Sequence, residues 1–255
     1  MCFLTAWNTD VGVRKKNNQD GLLIKTAQST TGNVGMFVVC DGMGGLSLGE
    51  LASSSLIVRI SIWFEKKLPE ILLLNDRDNK IKESFKKEII DANKSLEVYG
   101  KENGLKIGTT ICALLIIGEK YYIFHVGDSR IYKINTEVKQ MTEDQTFVNR
   151  EMKLGRMSEE EAKVHPKKHM LIECVGVTPS INILVYEGEV KKDDVFIISS
   201  DGFYSKIKEA EFLTEFSPSN MESEDDMSNT LKKLTELVKG RNEKDNISVI
   251  AIKIK

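Results

Sequence analysis

In Met36-Phe-Val-Val-Cys-Asp-Gly-Met-Gly-Gly45 an apolar run leads directly into a glycine-rich turn. The apolar run ends at Asp41, and three glycines follow within four residues before a segment that is typical of a helix. The pattern predicts a buried strand at residues 36–40 that delivers a carboxylate into a tight glycine loop.

Two further apolar runs end in an aspartate in the same way. Residues 121–126 are followed by Gly127-Asp128-Ser129, and residues 195–199 by Ser200-Asp201-Gly202. Carboxylates gathered at strand ends repel one another unless a cation lies between them, and hard divalent ions prefer oxygen ligands. The three aspartates therefore predict a site for Mg²⁺ or Mn²⁺.

Each aspartate also has a purely structural interpretation, because Asp-Gly between apolar runs is typical of a hairpin turn. Asp41 and Asp201 are followed by helix-like segments instead of a returning strand, which favours a functional role for these two. Strands flank Asp128 on both sides, so a plain turn is as good an interpretation there as a ligand. Asp20 and Asp245 lie among turn-forming residues, where an aspartate that bonds its own backbone needs no further explanation.

The composition is that of an ordinary globular protein. The 255 residues are 41% apolar with a net charge of −2, so the chain can form a core without a strongly basic face, and nucleic acid is not an expected partner. Four scattered cysteines without a C-x-x-C pair favour buried thiols of a reducing compartment. No signal-peptide pattern and no apolar run of roughly 18 residues is found, so we expect a cytoplasmic protein without membrane insertion.

The apolar periodicity predicts more strands than helices. Residues 3–7 and 22–26 should form an opening hairpin, a polar connector should cover residues 28–35, and the acidic stretch 217–226 should be disordered. Strands that adjoin one another in sequence favour antiparallel sheets with helices packed outside. The expected helices are residues 49–67 (ending near Pro69), 79–103, 209–216 and 227–239, with two short ones capped at Thr142 and Ser158.

Taken together, the motifs resemble those of the metal-dependent protein phosphatase family, known as protein phosphatase 2C or PPM, in its short bacterial form. Seven motifs occur in the family's order and cover nearly the whole chain. They are residues 12–20 with Asn17-Asn-Gln-Asp20, Val39-Cys-Asp-Gly-Met-Gly-Gly45, Gly108-Thr-Thr110, His125-Val-Gly-Asp-Ser-Arg130, residues 171–176, Ser199-Ser-Asp-Gly202 and Lys244-Asp-Asn-Ile-Ser248.

The resemblance implies one PPM-type domain over residues 1–255, of the α+β class. In this family two antiparallel sheets flanked by helices form a four-layer α-β-β-α sandwich, with the metal site at one end between the sheets. A mobile flap at about residues 142–170 would border that site and affect the choice of substrate.

The resemblance also implies which residues bind two Mn²⁺ or Mg²⁺ ions. Asp41 would bridge the two ions. Asp201 and Asp245 would complete one of them, and the backbone carbonyl of Gly42 would serve the other. Two such ions, about 3.5 to 4 Å apart, can generate a bridging hydroxide near neutral pH and align it for in-line attack on a phosphate monoester.

Two further aspartates have expected roles on the same basis. Asp20 would lie beside the second ion and hold its waters. Asp128, together with Asp201, matches the position that binds a third, weaker ion in bacterial members. Aspartates suit this chemistry because they supply charge without inviting the soft metals that histidine and cysteine bind.

Three positions depart from the pattern of the family. Where members usually have an arginine that holds a phosphate oxygen, this chain has Lys15 with Arg14 beside it, and either residue is a candidate. Gln19 replaces a glutamate that reaches the second metal through water in many eukaryotic members. Met43 replaces a histidine suspected of protonating the leaving group, and a thioether cannot donate a proton.

The leading hypothesis is a monomeric Mn²⁺- or Mg²⁺-dependent phosphatase that acts on phosphoserine and phosphothreonine of proteins and opposes a serine/threonine kinase. The second is a regulator on the same fold that binds phosphoproteins without turnover. The third is a phosphatase for a small phosphorylated metabolite. The presence of all five carboxylates favours an active enzyme, and the expected flap argues against the third hypothesis.

Overall fold

Two five-stranded antiparallel sheets form the centre of the molecule in the computed structural model, which describes residues 2–30, 32–43 and 48–255. Gly44 and Gly45 of the expected glycine loop lie outside the described residues. In spatial order the first sheet consists of β1 (Phe3–Asp10), β12 (Ile247–Ile254), β11 (Val195–Ser199), β8 (Arg130–Ile134) and β9 (Val138–Gln140).

The second sheet is formed from the remaining long strands. In spatial order it consists of β10 (Leu184–Glu189), β7 (Lys120–Val126), β6 (Ile111–Ile117), β3 (Gly32–Cys40) and β2 (Gly21–Ser29). A separate two-residue ladder joins β4 (Gly42–Met43) to β5 (Gly108–Thr109). All the pairings within the sheets are antiparallel, as predicted.

Helices cover the outer face of each sheet. Against the second sheet lie α1 (Leu48–Ile62), α2 (Leu68–Leu72) and α3 (Arg77–Asn103), with the π-helical turn Trp63–Lys67 joining the first two. Against the first sheet lie α6 (Asp201–Tyr204), α7 (Glu209–Glu215) and α8 (Glu224–Gly240). Two short helices, α4 (Phe147–Lys153) and α5 (Glu159–Val164), lie in the connection between β9 and β10.

Three apolar clusters hold these layers together. One fills the space between the two sheets, where Phe37 and Leu114 of the second sheet meet Phe196 and Ile250 of the first. The other two lie between each sheet and its helices. The structure therefore has the four-layer α-β-β-α architecture that the family resemblance implied.

The first strand pairs differently from the prediction. β1 does not form a hairpin with β2 but pairs with β12, so that Phe3 lies opposite Ile254. β2 pairs instead with β3 along its whole length, from Gly21 opposite Cys40 to Ser29 opposite Gly32. The prediction of a polar connector at residues 28–35 is therefore also wrong, because most of these residues belong to β2 and β3.

Two of three smaller expectations on the helices are also wrong. The first helical segment continues past Pro69, which lies in the first turn of α2, where its missing N–H costs no hydrogen bond. Thr142 does not cap a helix; its hydroxyl accepts a hydrogen bond from the backbone of Ile131, and Thr146 caps α4. The capping box at Ser158 is confirmed.

The acidic stretch 217–226 is ordered instead of disordered. It forms a 3₁₀ turn at Pro218–Asn220, buries Met221, and enters α8 at Glu224. The ammonium of Lys253 donates a hydrogen bond of 2.8 Å to the carbonyl of Pro218. A single buried methionine and this bond anchor a segment whose composition alone suggested disorder.

None of the helices in the part of the chain that the structure describes combines the length and the apolar character needed to cross a lipid bilayer.

Phe85 offers a test of the packing between α3 and the second sheet. Its ring is fully buried, stacks on Phe124 with centroids 4.2 Å apart, and meets Trp63 edge-on at 4.9 Å. Phe85→Ala should lower the free energy of unfolding by about 3 to 5 kcal/mol, because the lost transfer energy adds to that of the cavity. Urea denaturation measures this change. Val98→Ala, at an exposed position of the same helix, should change it by less than about 1 kcal/mol.

Candidate metal centre

The strand register brings Asp20 and Asp41 together at one end of the second sheet. Gly21, the first residue of β2, lies opposite Cys40, the last residue of β3. Asp20 directly precedes the one and Asp41 directly follows the other. Antiparallel pairing of β2 with β3 therefore places Asp20 next to Asp41, although the two residues are 21 positions apart in the sequence.

The first sheet contributes three more aspartates at its facing end. Ser199 of β11 lies opposite both Arg130 of β8 and Val249 of β12. Asp201 therefore emerges beside Asp128 on one side and beside Asp245 on the other. All five aspartates that the sequence singled out lie at the same end of the sandwich, and their charges interact across the two sheets.

Threonine hydroxyls fix the loop that carries Asp41. The backbone N–H of Asp41 donates to the hydroxyl of Thr110 at 2.9 Å, and its carbonyl accepts from the N–H of Thr110 and from the hydroxyl of Thr109. The hydroxyl of Thr110 also lies 2.8 Å from that of Ser129, next to Asp128. The Gly-Thr-Thr motif thus ties the Asp41 loop to the Asp128 loop.

A buried amide joins the Asp20 loop to the Asp245 loop. The side-chain oxygen of Asn246 accepts from the backbone N–H of Gln19 at 2.9 Å, and its amide group donates to the carbonyls of Val11 and Asn17. Asn246 is almost fully buried. It belonged to a quoted motif, but sequence reasoning assigned it no role, because a positioning asparagine has no pattern of its own.

Two serines connect Asp20 to the start of α6. The hydroxyl of Ser200 donates to Asp20 Oδ2 at 3.0 Å, and it accepts from the backbone N–H of Ser248. Because Ser200 directly precedes Asp201, this network sets the position of one carboxylate against another. Sequence reasoning did not single out either serine.

Burial and mutual repulsion perturb the carboxyl groups strongly. Burial raises the pKa of Asp20 to about 6 and that of Asp201 to about 7. Burial, followed by repulsion from Asp20 and Asp201, raises the pKa of Asp41 well above its usual range. Burial and the charge of Asp201 do the same to Asp128. Such a cluster opposes its own ionisation unless a cation compensates it.

Two carboxylate oxygens in the cluster have no partner among the described residues. Asp20 Oδ1 and Asp201 Oδ1 are buried without a hydrogen bond. No three His, Cys, Asp or Glu side chains within the described ranges already stand in ligating positions. The support for an ion is therefore the shared burial of oxygen donors and these two orphaned atoms, and an all-oxygen donor set fits a hard ion such as Mg²⁺ or Mn²⁺.

The two basic candidates take different positions. The ammonium of Lys15 lies 2.6 Å from Asp245 Oδ1. Burial lowers its pKa, but the hydrogen bond to Asp245 and the charges of the aspartates together raise it above its usual value. Arg14 is exposed and forms no ion pair within the described part of the chain. The structure thus brings Lys15, but not Arg14, to the aspartate cluster.

Gly42 and Met43 continue the chain beyond Asp41. A Cβ on Gly42 would lie 2.3 Å from the carbonyl oxygen of Gly49 and 2.4 Å from that of Gln19, so only glycine permits this close backbone approach. The thioether of Met43 lies 3.6 Å from the thiol of Cys174. This thioether cannot donate a proton to a leaving group.

Arg130 is a further residue of the site that the sequence did not assign. Its guanidinium forms a two-pronged pair with Asp144, donates to the hydroxyl of Tyr132, and stacks over the ring of Tyr204 at 3.9 Å. Tyr204 in turn donates its hydroxyl to the carbonyl of Asp128 at 3.0 Å. The only sequence signal for this cluster was the arginine two residues after Asp128.

A projecting segment borders the cluster. Gln145 exchanges two hydrogen bonds of 2.8 Å with Gly127, and Thr146 bridges to Leu171, so residues 146–171 leave and return at one place. The segment holds α4 and α5. Near its end the ring of His169 lies 3.8 Å from Asp201 Oδ2, so the segment reaches the cluster itself.

A family model for protein phosphatase 2C matches residues 12–239 of this chain. The chain belongs to the protein phosphatase 2C family. The resemblance drawn from the seven motifs is thereby confirmed. Members of the protein phosphatase 2C family are metal-dependent serine/threonine phosphatases that use Mn²⁺ or Mg²⁺ ions, the kind of ion that the three aspartates at strand ends predicted.

Known members of the family are similar over most of the chain. Protein phosphatase PhpP of Streptococcus pneumoniae is 29% identical over 210 residues, which cover 80% of each protein. The serine/threonine phosphatase of S. agalactiae is 27% identical, with a TM-score of 0.86 over 100% of both chains. The catalytic domain of PstP in complex with two manganese ions, at 23% identity and a TM-score of 0.77 over 99% of both chains, shares the fold.

The raised pKa values of this protein phosphatase 2C site predict an unusual pH dependence without metal. Carboxyl groups with a pKa of about 6 and 7 in the folded state, against 3.8 when unfolded, favour folding at low pH. Their contribution is complete below the unfolded value and is lost as the pH rises through the folded values. We expect the wild type in EDTA to lose thermal stability between about pH 4 and pH 7, relative to Asp20→Asn/Asp201→Asn.

Differential scanning calorimetry of both proteins, with EDTA and with Mn²⁺, measures this difference. Mn²⁺ should raise the melting temperature of the wild type more at about pH 8 than at about pH 5, because protons compete with the ion for the same oxygens. If the difference between wild type and variant in EDTA is the same at both pH values, the carboxyl groups are not perturbed as described.

The pair between Arg130 and Asp144 predicts a coupled loss of stability. Arg130→Met should lower the free energy of unfolding by about 2 to 3 kcal/mol, because Asp144 would keep a mostly buried charge without its partner. The double variant Arg130→Met/Asp144→Leu should recover part of this loss in urea denaturation. Strict additivity of the two single changes would contradict the pairing. Arg156→Met should cost less than about 1 kcal/mol, because Arg156 is exposed, lies 3.7 Å from Glu151, and leaves Glu151 paired with Arg150.

Proposed function

We propose that this chain hydrolyses phosphoserine and phosphothreonine in proteins with the help of two Mn²⁺ or Mg²⁺ ions bound by its aspartate cluster. The observation that carries the proposal is the convergence of five aspartates from both sheets, with two buried carboxylate oxygens that have no hydrogen-bond partner among the described residues. Family membership supports the reaction, and the names of the similar proteins support the class of substrate.

The proposed ligands follow the motifs of the family. Asp41 would be shared by both ions, Asp201 and Asp245 would complete one, and the carbonyl of Gly42 would serve the other. Asp20, which Ser200 already orients, would hold waters of the second ion. When bound, the ions would supply an activated water and offset the charge of the phosphate.

Asp128 is the proposed ligand of a third, weaker ion together with Asp201. The two carboxyl groups follow adjacent strands and repel each other. The carbonyl of Asp128 is held by Tyr204 and its loop by Ser129, so the position of this carboxyl group is defined by contacts outside the two-ion site.

Lys15 is the proposed ligand of the phosphate. Its ammonium already lies at Asp245 and interacts with the charges of Asp41 and Asp201. Arg14, in contrast, forms no ion pair with an aspartate of the cluster among the described residues. A lysine provides a point charge instead of the two-pronged grip of an arginine, so we expect this chain to orient the phosphate less firmly than members with arginine at this position.

The organisation of the protein follows from the same proposal. We propose one catalytic domain over residues 1–255, with residues 142–170 as the flap that borders the site. Its substrates would be phosphorylated proteins, and a serine/threonine kinase would carry out the opposing reaction. We propose that the protein is a monomer. We also propose that it acts in the cytoplasm, since three of the four cysteines are buried as free thiols.

Phosphate release from p-nitrophenyl phosphate and from a phosphothreonine peptide tests this function directly. We expect turnover with Mn²⁺ or Mg²⁺ and none with EDTA, because the proposed ions supply the nucleophile. Folded protein that releases no phosphate with either metal would instead be a phosphoprotein-binding regulator. Turnover of a small phosphate ester without any turnover of phosphopeptides or phosphoproteins would point to a metabolite phosphatase.

Two substitutions separate the proposed ions. Asp201→Asn should lower kcat by about 100-fold or more and weaken Mn²⁺ binding in isothermal titration calorimetry, because it removes a ligand of the tight site. Asp128→Ala should lower kcat while two tightly bound ions remain. Loss of both tight ions in Asp128→Ala would mean that this residue belongs to the two-ion site. Asp225→Asn, at an exposed position on α8, is the matched control and should change neither quantity.

A further inference from the structure

A cavity of about 870 Å³ opens beside the aspartate cluster, between the flap and α6. Asp128 and Asp201 line one end of it, and residues of α4 and α5 line the other. The volume is in the range of pockets that hold ligands far larger than a phosphate group. The cavity is therefore continuous with the proposed reaction site but extends well beyond it.

The wall of the cavity is partly apolar. It is lined by Val148 and Met152 of α4, Ala162 of α5 and Ile207, which follows α6. Val148 and Ala162 are almost fully buried. Apolar lining with a few charged groups is typical of a surface that binds a side chain or a short peptide segment.

Two acidic residues of the wall are already neutralised. Asp144 is held by the two-pronged pair with Arg130, and Glu143 pairs with Lys153. Neither carboxylate is available to repel an acidic ligand strongly or to attract a basic one. The charge that a ligand meets in the cavity depends on the groups that have no such partner.

Two lysines of the wall have no ion-pair partner among the described residues. Lys163 of α5 and Lys168, which follows it, line the cavity, and neither forms an ion pair within residues 2–30, 32–43 and 48–255. The ring of His169 lies beside them, and Glu159 of α5 is an acidic residue of the wall that also forms no ion pair among the described residues. At the mouth, the ions of the proposed function would offset the charges of Asp128 and Asp201.

We propose that this cavity binds the residues that flank the phosphorylated residue, and that Lys163 and Lys168 make it selective for segments with acidic side chains next to the phosphate. The inference rests on the proposed phosphatase function and names the class of its substrates. Both lysines lie on the flap, so the preference belongs to the flap and not to the aspartate cluster that performs the reaction.

Two phosphothreonine peptides test the preference in the wild-type protein. They share one sequence except that glutamates flank the phosphothreonine in the first and lysines in the second. With Mn²⁺, kcat/KM should be about 3- to 10-fold higher for the glutamate peptide, since two partly exposed ion pairs each contribute modestly. The preference should shrink at high salt, because screening weakens exposed charges. Equal values of kcat/KM at low salt would overturn the proposal.

Charge reversal locates the preference. Lys163→Glu/Lys168→Glu should abolish or invert the ratio between the two peptides, while kcat/KM for p-nitrophenyl phosphate, which has no flanking residues, stays within about 2-fold. Lys163→Gln/Lys168→Gln should remove the preference without inverting it, and circular dichroism verifies that both variants fold. Lys232→Glu, at an exposed position on α8, is the matched control and should leave the ratio unchanged.

The outcomes distinguish this inference from the function on which it rests. If the double reversal lowers turnover of p-nitrophenyl phosphate as much as turnover of the peptides, the lysines act on the reaction site and the inference is wrong. If the wild type turns over none of the substrates, the proposed function fails. Fluorescence anisotropy of the two intact peptides then decides the inference: tighter binding of the glutamate peptide supports it, and equal binding overturns it.

Discussion

Repulsion among buried carboxylates is the constraint on which the functional end of this protein depends. Five aspartates from two sheets lie at one end of the sandwich, and burial together with neighbouring charges raises the pKa of Asp20, Asp41, Asp128 and Asp201. A fold would gain stability by replacing them with neutral residues, since buried like charges oppose folding. Cations would compensate this repulsion, as the proposed two-ion site requires.

Hydrogen bonds from uncharged side chains fix the loops that carry the aspartates, despite the repulsion among the carboxylates. Thr110 joins the Asp41 loop to Ser129, Ser200 holds Asp20, and Asn246 fastens the loop before Asp20 to the loop of Asp245. These side chains carry no charge, so they fix the geometry without neutralising the site. Binding of the proposed ions would therefore require little reorganisation of the backbone, since these hydrogen bonds already join the loops.

The proposed function places the reaction and the choice of substrate in different parts of the molecule. The strand ends belong to the packed sandwich, whereas the flap is a projecting segment fastened at its base by Gln145 and by the pair of Arg130 with Asp144. Arg130 also stacks on Tyr204, whose hydroxyl holds the carbonyl of Asp128. The base of the flap and one corner of the aspartate cluster are thus positioned by a single guanidinium group, while the flap is free to carry its own charges.

The sequence alone predicted most of the long strands, most helices and the three aspartates that follow apolar runs, because an apolar run that stops at a carboxylate is a local pattern. It predicted Asp20 and Asp245 only through the family motifs, since in isolation each is an ordinary turn residue. Tertiary structure alone decided that β1 pairs with β12, that Met221 orders the acidic stretch, and that Lys15 instead of Arg14 reaches Asp245. The strand pairing and the burial of Met221 depend on contacts between residues far apart in the chain. The choice between Arg14 and Lys15 depends on where each side chain lies relative to Asp245. Neither kind of information is present in a local sequence pattern.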